Sequence, residues 1–192
     1  MVPIDMSDRV TIREAVAAVE GQLGTITTLV NNAGMPDAQW AVKQSDELID
    51  TVMGTNLTGP YILSCEVARK LMQEKLPGRM VNIASMAAFH TTAQSAAPLY
   101  SITKKALVRM TETLAVEWAG RNINVNAIAP GFFSSEMTDG MLERIGDITP
   151  TLNRKRIPTA EQMDSTLLFL LSPSSECVTG TCIKIDDGQM VR

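Results

Sequence analysis

Residues 79–84 read RMVNIA, residues 98–119 read PLYSITKKALVRMTETLAVEWA, and residues 122–128 read NINVNAI. The first and third stretches are short and apolar enough to predict β-strands, and the last of them alternates apolar and polar residues. The second is rich in Ala, Leu, Met and Glu, and it predicts a long helix. A strand, a helix and another strand in this order indicate two parallel strands of an α/β sheet.

Similar patterns continue on both sides of these stretches. Short apolar runs predict further strands at residues 28–31 and 181–185. Towards the start of the chain, Ser7 can cap a helix that runs to about Gln22. The inner face of this helix is predicted to consist of Val10, Ala15, Val16 and Val19.

Two more helical stretches complete the pattern. One opens at Ser45 and stops near residue 77, with an interruption predicted where Gly54, Gly59 and Pro60 occur. The other ends near Leu171 and begins with Thr159 and Gln162, which are the residue types of a capping box. The alternation of helices and strands therefore predicts one α/β domain over residues 1–192, built on a doubly wound parallel sheet.

The composition excludes several classes of protein. Of the 192 residues, 45% are apolar, 20% are charged and 4% are aromatic, which is typical of a globular domain. The net charge of −4 provides no basic surface for nucleic acid or for an anionic membrane. The longest apolar runs, such as residues 167–171, are too short to cross a bilayer, and no secretory signal is recognised. We expect a cytoplasmic protein.

The cysteines and the single histidine carry no strong chemical signal. Cys65, Cys177 and Cys182 are scattered and odd in number, so we expect small buried thiols in a reducing compartment. Together with His90 they do not supply a plausible zinc site, and no metal is expected. His90 itself is predicted to be a loop or pocket-wall residue.

The sharpest chemical signal is the sequence Tyr100-Ser-Ile-Thr-Lys104 inside the long helix. A spacing of four residues places the phenol and the ammonium group on one helix face. A nearby ammonium group is expected to lower the pKa of the tyrosine, which could then exchange a proton with a carbonyl or alcohol oxygen. Ser85 follows an apolar strand and could hydrogen-bond the same oxygen, and Asn56 lies in the helix interruption.

These residues belong to a longer series of motifs. The chain contains Asn31-Asn-Ala-Gly34, Asn56-x-x-Gly59, a strand ending in Ser85, Tyr100-x-x-x-Lys104, Pro130-Gly131, Thr179-Gly180 and Ile185-Asp-Asp-Gly188. Their types and order resemble the short-chain dehydrogenase/reductase family over essentially the whole chain. Within that family, the segment from Pro130 onwards resembles the 3-oxoacyl-thioester reductases. The resemblance implies a Rossmann fold, a nicotinamide cofactor (NAD or NADP) and the interconversion of a secondary alcohol and a ketone.

The resemblance also implies roles for individual residues. Tyr100 would be the general acid/base, Lys104 would lower the pKa of Tyr100 and hold the nicotinamide ribose, and Ser85 would orient the substrate oxygen. Asn56 would hold a water molecule of the proton relay. The other residues expected to bind the cofactor are Asp5 at the adenine, Asn31, Ala33 and Gly34 along the adenosine half, and Pro130, Gly131 and Ser135 at the nicotinamide.

The chain departs from the family pattern at several positions. No two glycines lie two residues apart, so the Gly-rich turn that binds pyrophosphate is absent from residues 1–192. Residues 2–5 resemble the tail of a strand, so we expect an N-terminally shortened domain whose first strands are missing. Fifteen residues separate Ser85 from Tyr100, which leaves Ser95 as an alternative orienting serine. Asp187 replaces a usual glycine and is interpreted as neutral.

Two further expectations concern the lid and the assembly. Residues 132–157 would form a lid over the substrate, and their apolar residues could equally be ordinary core residues. Leu63, Val67, Leu107 and Leu114 are predicted to offer apolar surface for a homodimer or homotetramer.

Three functions remain open from the sequence. The catalytic residues favour an NAD(P)-dependent oxidoreductase acting on a small-molecule alcohol or ketone. The absent phosphate-binding turn favours a shortened family member that is catalytically weak or inactive and acts as an association partner. An epimerase or dehydratase on the same scaffold is a weaker third possibility, distinguished by whether the cofactor is consumed.

Overall fold

A computed structural model describes residues 1–91 and 97–190, and its centre is a four-stranded parallel sheet. The strands lie side by side in chain order, and they are β1 (Thr28–Asn31), β2 (Gly78–Ile83), β3 (Ile123–Pro130) and β4 (Cys182–Ile185). All three pairings are parallel. Each predicted strand from residue 28 onwards is present, with its ends moved by no more than two residues.

Six α-helices are described: α1 (Arg9–Leu23), α2 (Asp46–Met53), α3 (Gly59–Glu74), α4 (Pro98–Trp118), α5 (Glu136–Ile145) and α6 (Asp164–Leu171). Helices α3 and α4 pack against β1, β2 and β3, and α1 packs on α3. Helix α6 packs against β2. The predicted doubly wound α/β architecture is confirmed.

The alternating sides of β2 explain why helices cover both faces of the sheet. Met80 belongs to a buried cluster with Leu71 of α3 and Leu107 of α4. The next residue, Val81, belongs to a different cluster with Leu170 of α6. Because successive side chains of a strand point to opposite faces, one short apolar strand supplies the core beneath two helical layers.

The predicted helix interruption is a single π-helical turn, Gly54–Thr58, that joins α2 to α3 without a loop. A side chain at Gly59 would collide with the main-chain carbonyl of Met6, so the residue after this turn must be small. The glycine of the Asn56-x-x-Gly59 motif therefore lets the segment before α1 approach the turn that holds Asn56.

The start of α1 differs from the prediction by one residue. Asp8, rather than Ser7, caps the helix, because its carboxylate accepts a hydrogen bond from the Val10 N–H at 2.8 Å. Ala15 and Val16 are buried as predicted, together with Ile12. Val10 is 58% exposed. It lies two residues from Ile12, and that spacing rotates a side chain about 200° to the other side of a helix.

Residues 2–5 do not form the predicted strand. The carbonyl of Asp5 accepts hydrogen bonds from the Asp8 N–H at 3.1 Å and the Thr11 hydroxyl at 2.9 Å. These residues thus form a turn that leads into α1. In the described part of the chain, β1 is an edge strand of the sheet.

The prediction about apolar surface was wrong for three of its four residues. Val67, Leu107 and Leu114 are at most 4% exposed and form part of the core between α3, α4 and the sheet. Leu63 is half-buried against the same core. Tyr61 of α3 and Val116 of α4 are exposed instead, at 49% and 81%.

The structure also describes features on which the composition bears. Across residues 1–91 and 97–190, no helix combines the length and the apolar character that a membrane crossing requires. The same residues contain no cluster of His, Cys, Asp or Glu side chains suited to a metal ion. Cys65 and Cys182 are half-buried, but Cys177 is exposed, so the expectation of three buried thiols was wrong for that residue.

Candidate active site

The residues singled out in the sequence gather at one edge of the sheet. Asn31 ends β1, Ser85 lies two residues beyond the end of β2, and Pro130 ends β3. The carboxyl ends of parallel strands form the edge at which open α/β sheets bind ligands. Helix α4 begins beside this edge, and Tyr100 lies in its first turn.

Tyr100, Lys104 and Ser85 converge at this edge. The Lys104 amino group lies 5.6 Å from the centre of the Tyr100 ring, as expected for two residues one helical turn apart. The Ser85 hydroxyl hydrogen-bonds the phenol of Tyr100. The Ser85 oxygen also accepts the Ala87 N–H at 3.1 Å, so Ser85 caps the short turn Met86–Ala88. This turn fixes the position of the serine beside the tyrosine.

The pKa of Tyr100 moves in the direction opposite to the prediction. Burial raises it above the ordinary value of 10.0, and the hydrogen bond from Ser85 offsets only part of that rise. Burial disfavours the charged phenolate, and in this structure it outweighs any attraction to the Lys104 ammonium group. The expected depression of the Tyr100 pKa by Lys104 is therefore not found.

Lys104 is a buried lysine and not the solvated surface lysine that an isolated helix pair suggests. It is 3% exposed, and its amino group donates a hydrogen bond to the Ile83 carbonyl at 2.8 Å. Burial lowers its pKa to about 8. A side chain added at Gly34 would approach the Lys104 nitrogen to 3.1 Å, so the glycine of the Asn31–Gly34 motif leaves space around that nitrogen.

Asn56 is completely buried in the π-helical turn. Its amide oxygen accepts the Met35 N–H and its amide nitrogen donates to the Met35 carbonyl, both at 2.9 Å. The nitrogen also donates to the Thr103 hydroxyl at 3.3 Å. Asn56 thereby connects the segment after β1 to α4, one residue from Lys104.

Asn31 has a structural contact that the sequence did not indicate. Its amide nitrogen donates to the Ser64 hydroxyl at 3.0 Å and to the Asn82 side-chain oxygen at 2.8 Å. Asn82 in turn donates to the Thr111 hydroxyl at 2.9 Å. This buried chain of side chains joins β1, β2, α3 and α4. Asn82 was missed, although an asparagine inside an apolar strand is a recognisable signal.

The other residues assigned to the adenosine half lie near the surface. Ala33 is exposed beyond the end of β1, and Gly34 is half-buried. Asp5 is exposed, and its carboxylate accepts hydrogen bonds from the Ser7 hydroxyl at 2.7 Å and the Ser7 N–H at 2.8 Å. These bonds lower the pKa of Asp5.

The residues assigned to the nicotinamide side lie at the end of β3. Pro130 is its last residue, and the Gly131 N–H continues the pairing with β4 by donating to the Ile185 carbonyl at 2.8 Å. A side chain at Gly131 would approach the Cβ of Asp186 to 2.9 Å, which explains the glycine. Ser135 is exposed and caps α5, because its oxygen accepts the Thr138 N–H at 3.3 Å.

Two sequence-based alternatives have different outcomes. His90 is exposed, follows the turn Met86–Ala88 and is a loop residue. Ser95, the alternative to Ser85, lies outside the described residues.

Asp187 is not the neutral replacement that the sequence suggested. Its backbone has a φ of 50°, a conformation that favours glycine. Its carboxylate accepts hydrogen bonds from Arg154 at 2.5 Å and from Arg156 at 2.7 and 2.9 Å. The two arginines lie at the end of the expected lid segment, so Asp187 attaches that segment to the turn after β4.

Asp37 is the functional candidate that sequence reasoning missed completely. It is 2% exposed, and its carboxylate accepts the Leu99 N–H at 2.8 Å. Leu99 precedes Tyr100 and lies 62 residues away along the chain. No local pattern around Asp37 announces this contact, because its partner is brought near only by the fold.

Comparison with known proteins shows what the chain is similar to. The family model described as enoyl-(acyl carrier protein) reductase matches residues 1–190. The chain is 33% identical over 191 residues to the 2-dehydro-3-deoxy-D-gluconate 5-dehydrogenase of Dickeya dadantii, covering 98% of this chain and 75% of that protein. It is also 33% identical over 189 residues to the 3-oxoacyl-acyl-carrier-protein reductase FabG of Thermotoga maritima, covering 98% and 76%. The chain belongs to the short-chain dehydrogenase/reductase family. It is an oxidoreductase of that family.

Solved structures show the same architecture. A short-chain type dehydrogenase/reductase from Mycobacterium marinum superposes with a TM-score of 0.93 at 27% identity, covering 100% of this chain and 75% of that chain. The 4-hydroxyisoleucine dehydrogenase complexed with NADH gives 0.84 at 28%, covering 97% and 79%. A single-residue variant of the actinorhodin polyketide ketoreductase with NADPH gives 0.90 at 28%, covering 97% and 76%. The chain therefore spans about three quarters of the proteins it matches.

The described residues fit one part of a nicotinamide dinucleotide. The buried amino group of Lys104 faces the space that the absent side chain of Gly34 leaves open. Both residues lie at the strand edge beside Tyr100, where a ribose hydroxyl could meet a hydrogen-bond donor. The pyrophosphate would lack its usual hydrogen-bond donors, because residues 1–192 contain no Gly-rich turn of the kind that precedes a helix N-terminus.

Proposed function

We propose that this short-chain dehydrogenase/reductase interconverts a secondary alcohol and a ketone, with Tyr100 as the general acid/base. The observation that carries the proposal is the convergence of the Tyr100 phenol, the Ser85 hydroxyl and the Lys104 amino group at the ligand-binding edge of the sheet. When bound, NAD(H) or NADP(H) supplies the hydride chemistry.

Each of these residues has a role that its surroundings support. The buried Tyr100 keeps its proton at neutral pH, so it can donate that proton to a carbonyl oxygen during reduction. Ser85 can hydrogen-bond the same oxygen while its main-chain turn holds it in place. Lys104, with a pKa of about 8, is mostly charged at neutral pH and can hold the ribose and favour the phenolate as it forms.

In this proposal Asn56 holds neighbouring segments of the site in place and binds the last water molecule of the proton relay. Its side chain fixes the Met35 backbone and contacts Thr103. A water molecule in the relay would use the remaining hydrogen-bonding capacity of its oxygen, which has two lone pairs.

The cofactor contacts of the remaining residues are part of the same proposal. Ala33 and Gly34 would flank the adenosine half, with Asn31 holding their segment to β2 and Asp5 nearest the adenine. Pro130 and Gly131 would line the nicotinamide pocket beyond β3. Ser135 would reach the carboxamide while capping α5.

For the substrate, we propose a 3-oxoacyl thioester. The 3-oxoacyl-acyl-carrier-protein reductase among the relatives and the enoyl-reductase family model support this class. A lid over residues 132–157 would cover the acyl chain. Helix α5 contains no buried residue, so the apolar side chains of this helix remain available to contact a ligand. Phe133, before the helix, is buried.

The test compares Tyr100→Phe with the unmodified residue. Activity is followed by oxidation of NADH and NADPH with acetoacetyl-CoA in the chain joined to the Gly-rich N-terminal segment of FabG, because the chain as given is expected to bind the cofactor weakly. Positioned acid/base catalysis contributes roughly 10²–10⁴-fold, so kcat should fall by at least about 10² in Tyr100→Phe. Tyr61→Phe, on the exposed face of α3, is the matched control and should keep normal turnover.

Two outcomes would contradict the proposal. Near-normal turnover of Tyr100→Phe would exclude Tyr100 as the acid/base. Turnover of 2-dehydro-3-deoxygluconate but not of the thioester would replace the proposed substrate class.

A further inference from the structure

Asp37 is a buried carboxylate to which neither the family motifs nor the proposed mechanism gives a role. It lies in the segment after β1 and is 2% exposed. Aspartate is almost never fully buried unless its charge is compensated. Among residues 1–91 and 97–190, no lysine or arginine forms an ion pair with it. Its compensation must therefore come from hydrogen-bond donors and dipoles.

Two donors meet one oxygen of this carboxylate. Oδ2 accepts the Leu99 N–H at 2.8 Å and the Gln44 side-chain amide at 2.5 Å. The Leu99 N–H belongs to the first turn of α4, where main-chain N–H groups have no partner within the helix. A hydrogen bond from a main-chain amide to a charged acceptor is stronger than one to a neutral acceptor.

Helix α4 has no cap of its own. The residue before it, Ala97, carries no side chain that could accept a hydrogen bond. Asp37 therefore supplies the cap from 62 residues earlier in the chain, and its negative charge lies at the positive end of the helix dipole. Tyr100 is the residue that follows Leu99, so this cap acts on the turn that carries the tyrosine.

The segment that carries Asp37 is also hydrogen-bonded to the candidate site. The Met35 backbone, two residues before Asp37, is held by Asn56, which accepts the Met35 N–H and donates to the Met35 carbonyl. The segment 35–37 thus connects Asn56 to the first turn of α4. We infer that Asp37 is a positioning residue, which holds the first turn of α4 against this segment and so sets where the Tyr100 hydroxyl lies relative to Ser85. The catalytic significance of this inference rests on the proposed function.

The test uses the fact that the chain contains only two tyrosines, Tyr61 and Tyr100. In a Tyr61→Phe background, the ultraviolet absorbance of phenolate reports the titration of Tyr100 alone. Asp37→Ala should let water reach the first turn of α4 and lower the pKa of Tyr100 towards its ordinary value of 10.0. Asp37→Asn keeps an acceptor oxygen for the Leu99 N–H and should leave the titration as in the parent.

Asp8→Ala is the matched control, because it removes the same type of cap from α1. It should leave the Tyr100 titration unchanged even where it lowers the thermal midpoint. Circular dichroism followed during each titration ensures that only folded protein is compared. An unchanged pKa in Asp37→Ala would overturn the inference. Equal shifts in Asp37→Ala and Asp37→Asn would also overturn it, because the charge alone would then be the cause.

A second measurement keeps the inference testable if Asp37→Ala does not fold. In the unmodified chain, the Leu99 amide hydrogen should exchange with solvent slowly, and it should stay protected in Asp37→Asn. Exchange at the rate of an unstructured peptide would overturn the inference.

Activity separates this inference from the proposed function. If Tyr100→Phe abolishes turnover, Asp37→Ala should lower kcat more than it raises KM, and Asp37→Asn should restore kcat. If Tyr100→Phe has no effect, the proposed function fails, while the titration and the exchange still decide whether Asp37 positions the turn.

Discussion

Lys104 illustrates how burial changes the chemistry of a single residue. From the sequence it is one of two adjacent lysines on a helix, yet it is 3% exposed whereas Lys105 is exposed. Its pKa of about 8 means that the folded chain releases this proton more easily than the unfolded chain does. A charged amino group held in this place therefore costs stability, as functional groups in active sites often do.

The stability of the unmodified chain should depend on pH through Lys104. The unfolded chain keeps this proton up to about pH 10.5, while the folded chain loses it from about pH 8. Between these values the unfolded state binds more protons, so the free energy of unfolding rises with pH. Relative to Lys104→Met, the unmodified chain should gain about 1.4 kcal/mol per pH unit over this interval.

At pH 7, Lys104→Met should be more stable than the unmodified chain by roughly 2 kcal/mol, after subtraction of the lost hydrogen bond to Ile83. Urea unfolding at pH 7, 9 and 10 measures both effects. Lys105→Met, at the neighbouring exposed position, is the control, and its difference from the unmodified chain should not vary with pH. A Lys104→Met difference that is constant over this range would contradict the prediction.

At the scale of elements, the attachment of the lid segment depends on the turn after β4. Asp187 binds Arg154 and Arg156, and the Asn153 side chain donates to the Gly188 carbonyl at 2.6 Å. At the other end of the segment, the Gln189 side chain accepts the Phe132 N–H at 2.7 Å and donates to the Phe132 carbonyl at 2.9 Å. Both ends of residues 132–157 are thus held by the same short turn.

Substitutions at Asp187 should separate backbone strain from ion pairing. Asp187→Ala loses both arginine contacts and places a Cβ at a φ of 50°, whereas Asp187→Gly loses the contacts but suits that backbone. Asp187→Ala should therefore have the lower thermal midpoint, and both variants should be cut faster by protease within residues 132–157. Equal midpoints would show that the backbone conformation carries no cost.

The ion pairing also predicts an effect of acid. The arginines lower the pKa of Asp187, so its contribution to stability is present above the ordinary aspartate pKa and is lost as pH falls through the lowered value. In the unmodified chain, protease cleavage within residues 132–157 should accelerate as Asp187 is protonated. In Asp187→Gly this acceleration should be absent.

At the scale of the whole molecule, the expected self-association must use a surface other than the one first predicted. Ile102 and Val116 of α4 are 59% and 81% exposed, and fourteen residues, close to four helical turns, separate them. Tyr61 of α3 is 49% exposed. These exposed side chains make the outer faces of α3 and α4 partly apolar, and these outer faces are the surface considered for self-association.

We expect the chain to form a homodimer or homotetramer through this surface. Val116→Glu should then reduce the mass measured by light scattering at micromolar concentration, because it buries a charge in the interface. Val42→Glu changes a valine that is 94% exposed in another part of the chain, and it should leave the mass unchanged. A monomeric mass for the unmodified chain would contradict the expectation.

Cofactor affinity is the second prediction at this scale. The pyrophosphate needs main-chain donors at a helix N-terminus, and residues 1–192 contain no Gly-rich turn to provide them. We expect the polypeptide of residues 1–192 to bind NADH and NADPH weakly in fluorescence titrations. The same polypeptide joined to the strand, Gly-rich turn, helix and strand of FabG should bind more tightly and gain turnover. Micromolar binding by residues 1–192 alone would contradict this.

The sequence by itself determined the order of strands and helices from residue 28 onwards and the interruption around Asn56, and it predicted the residues of the candidate site. These features are local, because apolar periodicity, glycine and proline, and the spacing of Tyr100 and Lys104 act within a few residues. The family motifs then suggested the proposed roles of these residues, because the order of the motifs along the chain can be read without knowing which residues are in contact.

Only the tertiary structure decided the burial of Lys104, the direction of the Tyr100 pKa, the arginine contacts of Asp187 and the cap that Asp37 supplies. Each of these depends on groups far apart in the chain, such as Asp37 and Leu99. Desolvation and long-range hydrogen bonds arise from the packing of whole elements, and no local pattern encodes them.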